Sequence, residues 1–279
     1  MATGTTRVTG LGLGLAAATL LALGVAASGA RAADAGQVMP TKRPDGLPNW
    51  SGVWARTGGG NMFDMATAEP KTAFAGDDHA REYPPYTPAF EEKYKKAIAV
   101  VDAGRFTDPL TFCLPRGMPG MMAQPDQYEF AVTPEMVWIV VENGGQVRRI
   151  YTDGRGHPKG DDLFPTYTGH SIGHWEDDTL VVDTVGLRDD MIVDRTGLTL
   201  SAKAHTVERI RMIDPNTIED RFVIDDPLAL TKPWLVTRLF RRQPKGSMLF
   251  DYACSENNRN PVDASGKTRA VDAKGKPID

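Results

Sequence analysis

Three of the chain's five histidines, His157, His170 and His174, fall in a stretch from Arg148 to Asp194 that is also rich in glycines and carboxylates. Imidazole trades protons readily near neutral pH, so this stretch is where acid–base chemistry is to be sought. His157 sits between Gly156 and Pro158 in a loop leaving a strand end, and loops at barrel mouths commonly carry working groups. His170 opens one strand and His205 a later one, where Val207, Arg209 and Ile213 share its face and Glu208 points to the other. Asp183 interrupts a valine-rich strand; a carboxylate there is either buried with a partner such as His or Arg, or faces water. Pairing with an imidazole would raise the imidazole's pKa and make an acid–base couple, although a plain structural ion pair accounts for the same residues. His157, His170, His205 and Asp183 are the candidate catalytic residues. Tyr151, Arg155 and Arg209 are candidates to steady developing negative charge, with Trp175 and Met121 as further substrate-binding candidates.

His170 and His174 read as H-x3-H, which on a helix would suit a metal. On a strand the two rings stand about 13 Å apart on one face, too far for one ion. No metal ligand set and no cofactor are expected.

These residues need a scaffold, and the pattern is mainly β. The expected strands are Ser51–Arg56, Gln127–Val132, Met136–Glu142, Gln146–Thr152, His170–Glu176, Thr179–Val185, His205–Ile213, Thr217–Asp225, Trp234–Arg242 and Met248–Cys254, about ten in all. Asn143-Gly144-Gly145, Asp177-Asp178, Asp214-Pro215-Asn216 and Pro244-Lys245-Gly246-Ser247 are the turns between sequential antiparallel pairs. A meander of that length must close or double over, because open edges invite aggregation. The expected fold is an antiparallel up-and-down barrel, or a strongly curved sandwich, with one lid helix. That helix spans residues 88–103: Thr87 can cap it, Pro88 takes the first position, Gly104 stops it, and Phe90, Tyr94, Ile98 and Val101 form its apolar stripe.

Two resemblances follow from quoted residues. Asn49-Trp50-Ser51-Gly52-Val53-Trp54 resembles the Gly-x-Trp start of lipocalin-like (calycin) barrels, whose Trp plugs one barrel end. The segments Gly154–Pro158, Gly169–Gly186, His205–Arg209 and Cys254–Asn258 resemble an abundant, largely uncharacterised family of secreted bacterial β-barrel proteins. Its pattern reads G-R-x-H-P, then G-H-S-I-G-R-W-E-G-D-T-L-V-V-D-T, then L-H-x-x-E-R and C-x-E-N-N. The resemblance implies a fold more firmly than a reaction. The chain departs from the pattern at His174 (Arg in the family), Asp177 (a turn Gly) and Leu187 (Phe). Leu198, Leu200 and Ala202 stand where the family carries polar residues, which suggests a more apolar ligand.

The 279 residues divide into a signal peptide (1–32), an extended Pro-rich arm (33–49), one β-barrel domain (50–260) and a flexible tail (261–279). Arg7, the apolar stretch Leu11–Ala27 and Ala30-Arg31-Ala32 read as a Sec-type leader cleaved near Ala32, giving a periplasmic or secreted protein. In an oxidising compartment Cys113 and Cys254 are expected to pair. A formal charge of −4 with no long basic run argues against nucleic acid and anionic membrane as partners. The chain has no G-x-S-x-G, nucleotide-binding Gly loop, H-E-x-x-H or C-x-x-C. The leading expectation is cofactor-free acid–base chemistry of isomerase, lyase or hydratase type on a small apolar or aromatic molecule in the barrel cavity. A non-catalytic lipocalin-like binding protein and a metal-assisted hydrolase are the alternatives.

Overall fold

The computed structural model describes residues 41–57, 84–103, 107–189, 191–194, 196–254 and 276. The leader, residues 33–40, the helix stop at Gly104 and nearly all of the tail lie outside these. Nine strands close into a barrel in chain order: β1 Val53–Arg56, β2 Gln127–Val132, β3 Met136–Val141, β4 Gln146–Tyr151, β5 His170–Glu176, β6 Thr179–Val185, β7 His205–Asp214, β8 Thr217–Asp225 and β9 Trp234–Arg242. β1 pairs with β9, so every strand has two neighbours and no edge is left open.

Three expectations need correction. Met248–Cys254 is not a strand: closure is complete at β9, and no edge remains for a tenth to join. The barrel is mixed rather than purely antiparallel, because β4 and β5 run parallel through Ile150↔Ser171 and Tyr151↔Ile172. Parallel neighbours cannot share a tight hairpin, so residues 152–169 form the long crossover between them. Thr41–Asn49 is not an extended arm but folds back on itself, with Lys42 bridged to Pro48 and the Asn49 N–H donating to the Thr41 carbonyl.

Alternation along the strands sends one set of side chains inward. Trp54, Tyr128, Phe130 and Phe240 meet edge to face inside one end, with Phe240 4.9 Å from Tyr128 and 5.6 Å from Phe130. Farther along, the lining is charged. Arg148, Glu208, Asp220 and Arg238 are all fully buried. Arg148 donates to both Glu208 carboxylate oxygens, to Ser171 Oγ at 3.2 Å and to Thr184 Oγ1 at 2.9 Å. Burial, and secondarily the Glu208 charge, drive the Asp220 carboxyl well above its ordinary pKa, so its protonated form is favoured beside that pair.

The β1–β9 seam is tied by Arg242, whose guanidinium lies 4.1 Å over the Trp54 ring and donates to the carbonyls of Asn49, Ser51 and Pro215. A Cβ at Gly52, which has φ +96°, would stand 3.4 Å from that guanidinium. The Gly-x-Trp segment thus lies at the β1–β9 seam, with Trp54 fully buried opposite Arg242. At the β5–β6 turn Asp177 adopts φ +53°, a left-handed conformation that Asp tolerates better than most non-glycine residues.

The helix α1, Pro88–Asp102, buries Tyr94 and part-buries Phe90 and Ile98, while Val101 is exposed. Thr87 occupies the N-cap position, but its hydroxyl makes no capping bond and donates instead to the Leu228 carbonyl. Tyr94 hydrogen-bonds Thr196, and a Cβ on Gly197 would meet Ala97 at 2.4 Å, so the helix packs on the 193–200 segment. Leu198 and Leu200 are buried in that layer. Cys113 and Cys254 are disulfide-bonded. Among the described residues no helix is long and apolar enough to cross a membrane.

Candidate active site

The outward faces of β4 to β7 present Tyr151; His170, Ile172 and His174; Val181, Asp183 and Val185; and His205, Val207 and Arg209. Register sets them in rungs. Ile172, Asp183 and Val207 are direct neighbours across three strands, and His174, Val181 and Arg209 form the next rung. His170 and His205 therefore flank Asp183 diagonally from either side. The crossover adds the third imidazole, because His157 comes down from it onto the same patch. Gly169 makes the return to β5 possible: it has φ +65°, and a Cβ there would lie 2.6 Å from the Val185 carbonyl oxygen.

The four residues form one hydrogen-bonded chain. His170 Nδ1 and His157 Nδ1 are 2.8 Å apart, so one donates and the other accepts. His157 Nε2 lies 3.0 Å from Asp183 Oδ1, and His205 Nε2 lies 3.1 Å from the same oxygen. An ionised Asp183 accepts from both, which fixes each ring with its Nε2 protonated. His157 Nδ1 is then a lone pair when neutral, and His170 Nδ1–H is its donor. No described residue hydrogen-bonds His170 Nε2, which is left as a basic nitrogen. Burial first, then the neighbouring His157 and Arg155, lower the His170 pKa, so its ring is neutral and basic at pH 7.

Aromatic stacking holds that base. Tyr151 lies on the His170 ring at 5.3 Å with planes 25° apart, and the Arg155 guanidinium covers Tyr151 at 4.0 Å. Arg155 donates to the Asp153 carboxylate from Nε and Nη2, and these hydrogen bonds hold the Asp153 carboxyl below the usual range. Beside the cluster a groove of about 330 Å³ is lined by Gly154, Arg155, Ile172, Gly173, His174, Val181, Asp183 and Val207.

The four candidate catalytic residues are thus brought together, with Tyr151 and Arg155, but on the outer wall rather than inside the mouth. The interior is occupied by the aromatic and charged side chains above, and the residues of opposite parity face out. Two substrate-binding expectations are corrected. Met121 is fully buried core, and its carbonyl accepts from Tyr128. Trp175 packs 5.4 Å from Trp50, away from the outer patch. Arg209 shares the outer face, in the rung of Val181, where it pairs with Glu176 at 2.8 Å, the carboxylate that also takes His174. Ile172, Val181 and Val207, the apolar floor, were missed, although their parity with Asp183 and His205 could have flagged them.

Among the described residues no three His, Cys, Asp or Glu side chains are disposed to share one metal ion. Here the two Nε2 groups converge on a single carboxylate oxygen, while His170 is reached only through the far nitrogen of His157. No protein-family model matches the chain. No curated protein is significantly similar to it.

Proposed function

We propose that the protein is an exported β-barrel enzyme that performs cofactor-free proton transfer, of isomerase, lyase or hydratase type, on a small molecule bound against the outer wall. The observation that carries this reading is the hydrogen-bonded chain His170–His157–Asp183–His205. His170 Nε2 takes a proton from a carbon next to a carbonyl. As it does so, its Nδ1 proton passes to His157 Nδ1, and the positive charge rests on His157 against the Asp183 carboxylate. That avoids an imidazolium on His170, where burial and Arg155 oppose it. The pair of electrons released moves onto the carbonyl oxygen, where a cation such as Arg155 steadies it. Returning the proton to a different carbon makes an isomerase; expelling a β-substituent makes a lyase.

Exchange of carbon-bound hydrogen in D2O, followed by NMR on propiophenone and related aromatic ketones, tests this directly. The wild type is expected to exceed buffer-catalysed exchange, His170→Ala to abolish the excess, and His157→Ala to reduce it about a hundredfold. Wild-type exchange no faster than buffer, or full activity in His170→Ala, refutes the reading. A non-catalytic binding protein is the second reading, favoured by the apolar groove floor. Export rests on the Arg7–Ala32 leader pattern and agrees with the disulfide; the mass of the protein recovered from the periplasm is expected to lack residues 1–32.

A further inference from the structure

Two residues, Arg155 and Asp183, belong both to the groove and to the histidine cluster. Any molecule lying in the groove reaches the cluster past these two. Asp183 spends Oδ1 on the two imidazoles, and no described residue hydrogen-bonds its Oδ2. With the side chain 42% exposed, Oδ2 is an acceptor open to a ligand's O–H and, being anionic, repels a ligand's anionic or carbonyl oxygen. Arg155 supplies the opposite preference. Its Nε and Nη2 are taken by Asp153, its stack on Tyr151 fixes the plane, and it is 47% exposed.

Between and beyond them the floor is apolar. Ile172, Val181 and Val207 occupy two successive rungs of three strands. Sheet spacing makes that floor about 7 Å along the strands and about 10 Å across them, the footprint of one or two rings. His174 with its Glu176 partner stands at the far end.

Resting on the reading of this patch as the working site, we infer that the groove takes a hydroxycarbonyl compound with a flat apolar body. The hydroxyl donates to Asp183 Oδ2, the carboxylate or carbonyl oxygen faces Arg155, and the ring lies over Ile172, Val181 and Val207. The class excludes purely hydrocarbon ligands, which would desolvate Asp183 Oδ2 and the Arg155 guanidinium without offering either a partner.

Four matched probes separate the contributions in calorimetric or NMR titrations of the full mature chain: mandelate, phenylacetate (no hydroxyl), benzyl alcohol (no carboxylate) and glycolate (no ring). Mandelate is expected to bind about tenfold more tightly than phenylacetate or benzyl alcohol, the loss for one hydrogen bond to a charged group, and about tenfold more tightly than glycolate, which forfeits the apolar burial of the ring. Asp183→Asn should make mandelate and phenylacetate equal, and Arg155→Gln should make mandelate and benzyl alcohol equal. Arg155 lies on the surface, so its exchange leaves the barrel folded and keeps the test decisive if Asp183→Asn disturbs the crossover. Equal binding of all four probes, no binding of mandelate at millimolar concentration, or unchanged preference in Arg155→Gln overturns the inference. Binding is read without turnover. Discrimination among the probes with no carbon-bound exchange would therefore sink the proton-transfer reading and leave the ligand class standing; the reverse outcome would do the opposite.

Discussion

Arg148→Met is the sharpest test of how the barrel interior is held. Arg148 and Glu208 are both fully shielded from water, and the guanidinium makes contacts to Glu208, Ser171 and Thr184. Methionine fills much of the volume but supplies no donor, so the Glu208 carboxylate is left buried beside the Asp220 carboxyl with its cation gone. Breaking a buried pair from one side costs about 3–5 kcal/mol, far more than an exposed pair is worth. With a urea slope near 2 kcal/mol/M, the unfolding midpoint is expected to fall by roughly 1.5–2.5 M. Arg148→Met/Glu208→Met removes the stranded charge and should recover at least half of that loss. The remainder reflects Asp220 and the Ser171–Thr184 hydroxyl pair losing partners, about 1–2 kcal/mol. Urea unfolding of the four proteins of this cycle, with the disulfide intact, measures the coupling. A single variant within about 1 kcal/mol of wild type, or a double variant no more stable than the single, would refute the argument.

Three other outcomes follow from the same geometry. Asp220→Asn replaces an acid whose ionised form burial disfavours with an amide of nearly the same shape, so at a pH where both native and unfolded carboxyls are protonated stability should change by less than about 1 kcal/mol. In the wild type the native state holds the Asp220 proton above the pH at which the unfolded chain releases it, so this group's contribution falls as pH rises through that window; the variant should lose that slope in a pH series of urea midpoints. Because His170 is protonated only below the ordinary imidazole value, its ring resonances should titrate below about pH 6.5, and Arg155→Gln should move that midpoint upward by removing a nearby cation. Between the two pKa values the unfolded chain binds more protons, so this imidazole favours unfolding as pH falls. Arg242→Ala loses the Trp54 stack and three carbonyl contacts at the β1–β9 seam; thermal unfolding should register a loss of about 2–4 kcal/mol, with Arg242→Lys recovering little because one ammonium cannot reproduce the planar fork.

What could be read from the sequence was mainly what repeats locally. Turn chemistry at Asn143–Gly145, Asp177-Asp178 and Asp214–Asn216 marks real hairpins, and the 88–102 helix follows from Pro88 and the Phe90–Tyr94–Ile98 spacing. The site residues were legible as types in a dense polar run, but their assembly was not. His157 meets Asp183 only because β4 and β5 run parallel and force a crossover over the outer wall, and a two-rung parallel contact leaves no periodic trace. Which face is inward was illegible for a different reason. In β4 the parity of Arg148 matches Gln146 and Ile150, while Val147 and Tyr151 face out, so neither face looks apolar. Burial of Arg148 depends on Glu208, which lies far along the chain and whose partner no local pattern names.

The crossover that replaces a hairpin between β4 and β5 has an engineering consequence. Since residues 153–162 of the crossover are mostly exposed, while Leu163, Thr166 and Tyr167 anchor its end, the segment bearing Arg155 and His157 can be redrawn much as an antibody loop is. Lengthening it, or exchanging it between related barrels, should alter what is bound while the melting behaviour of the cylinder beneath hardly changes. Specificity and endurance would then answer to different stretches of one polypeptide.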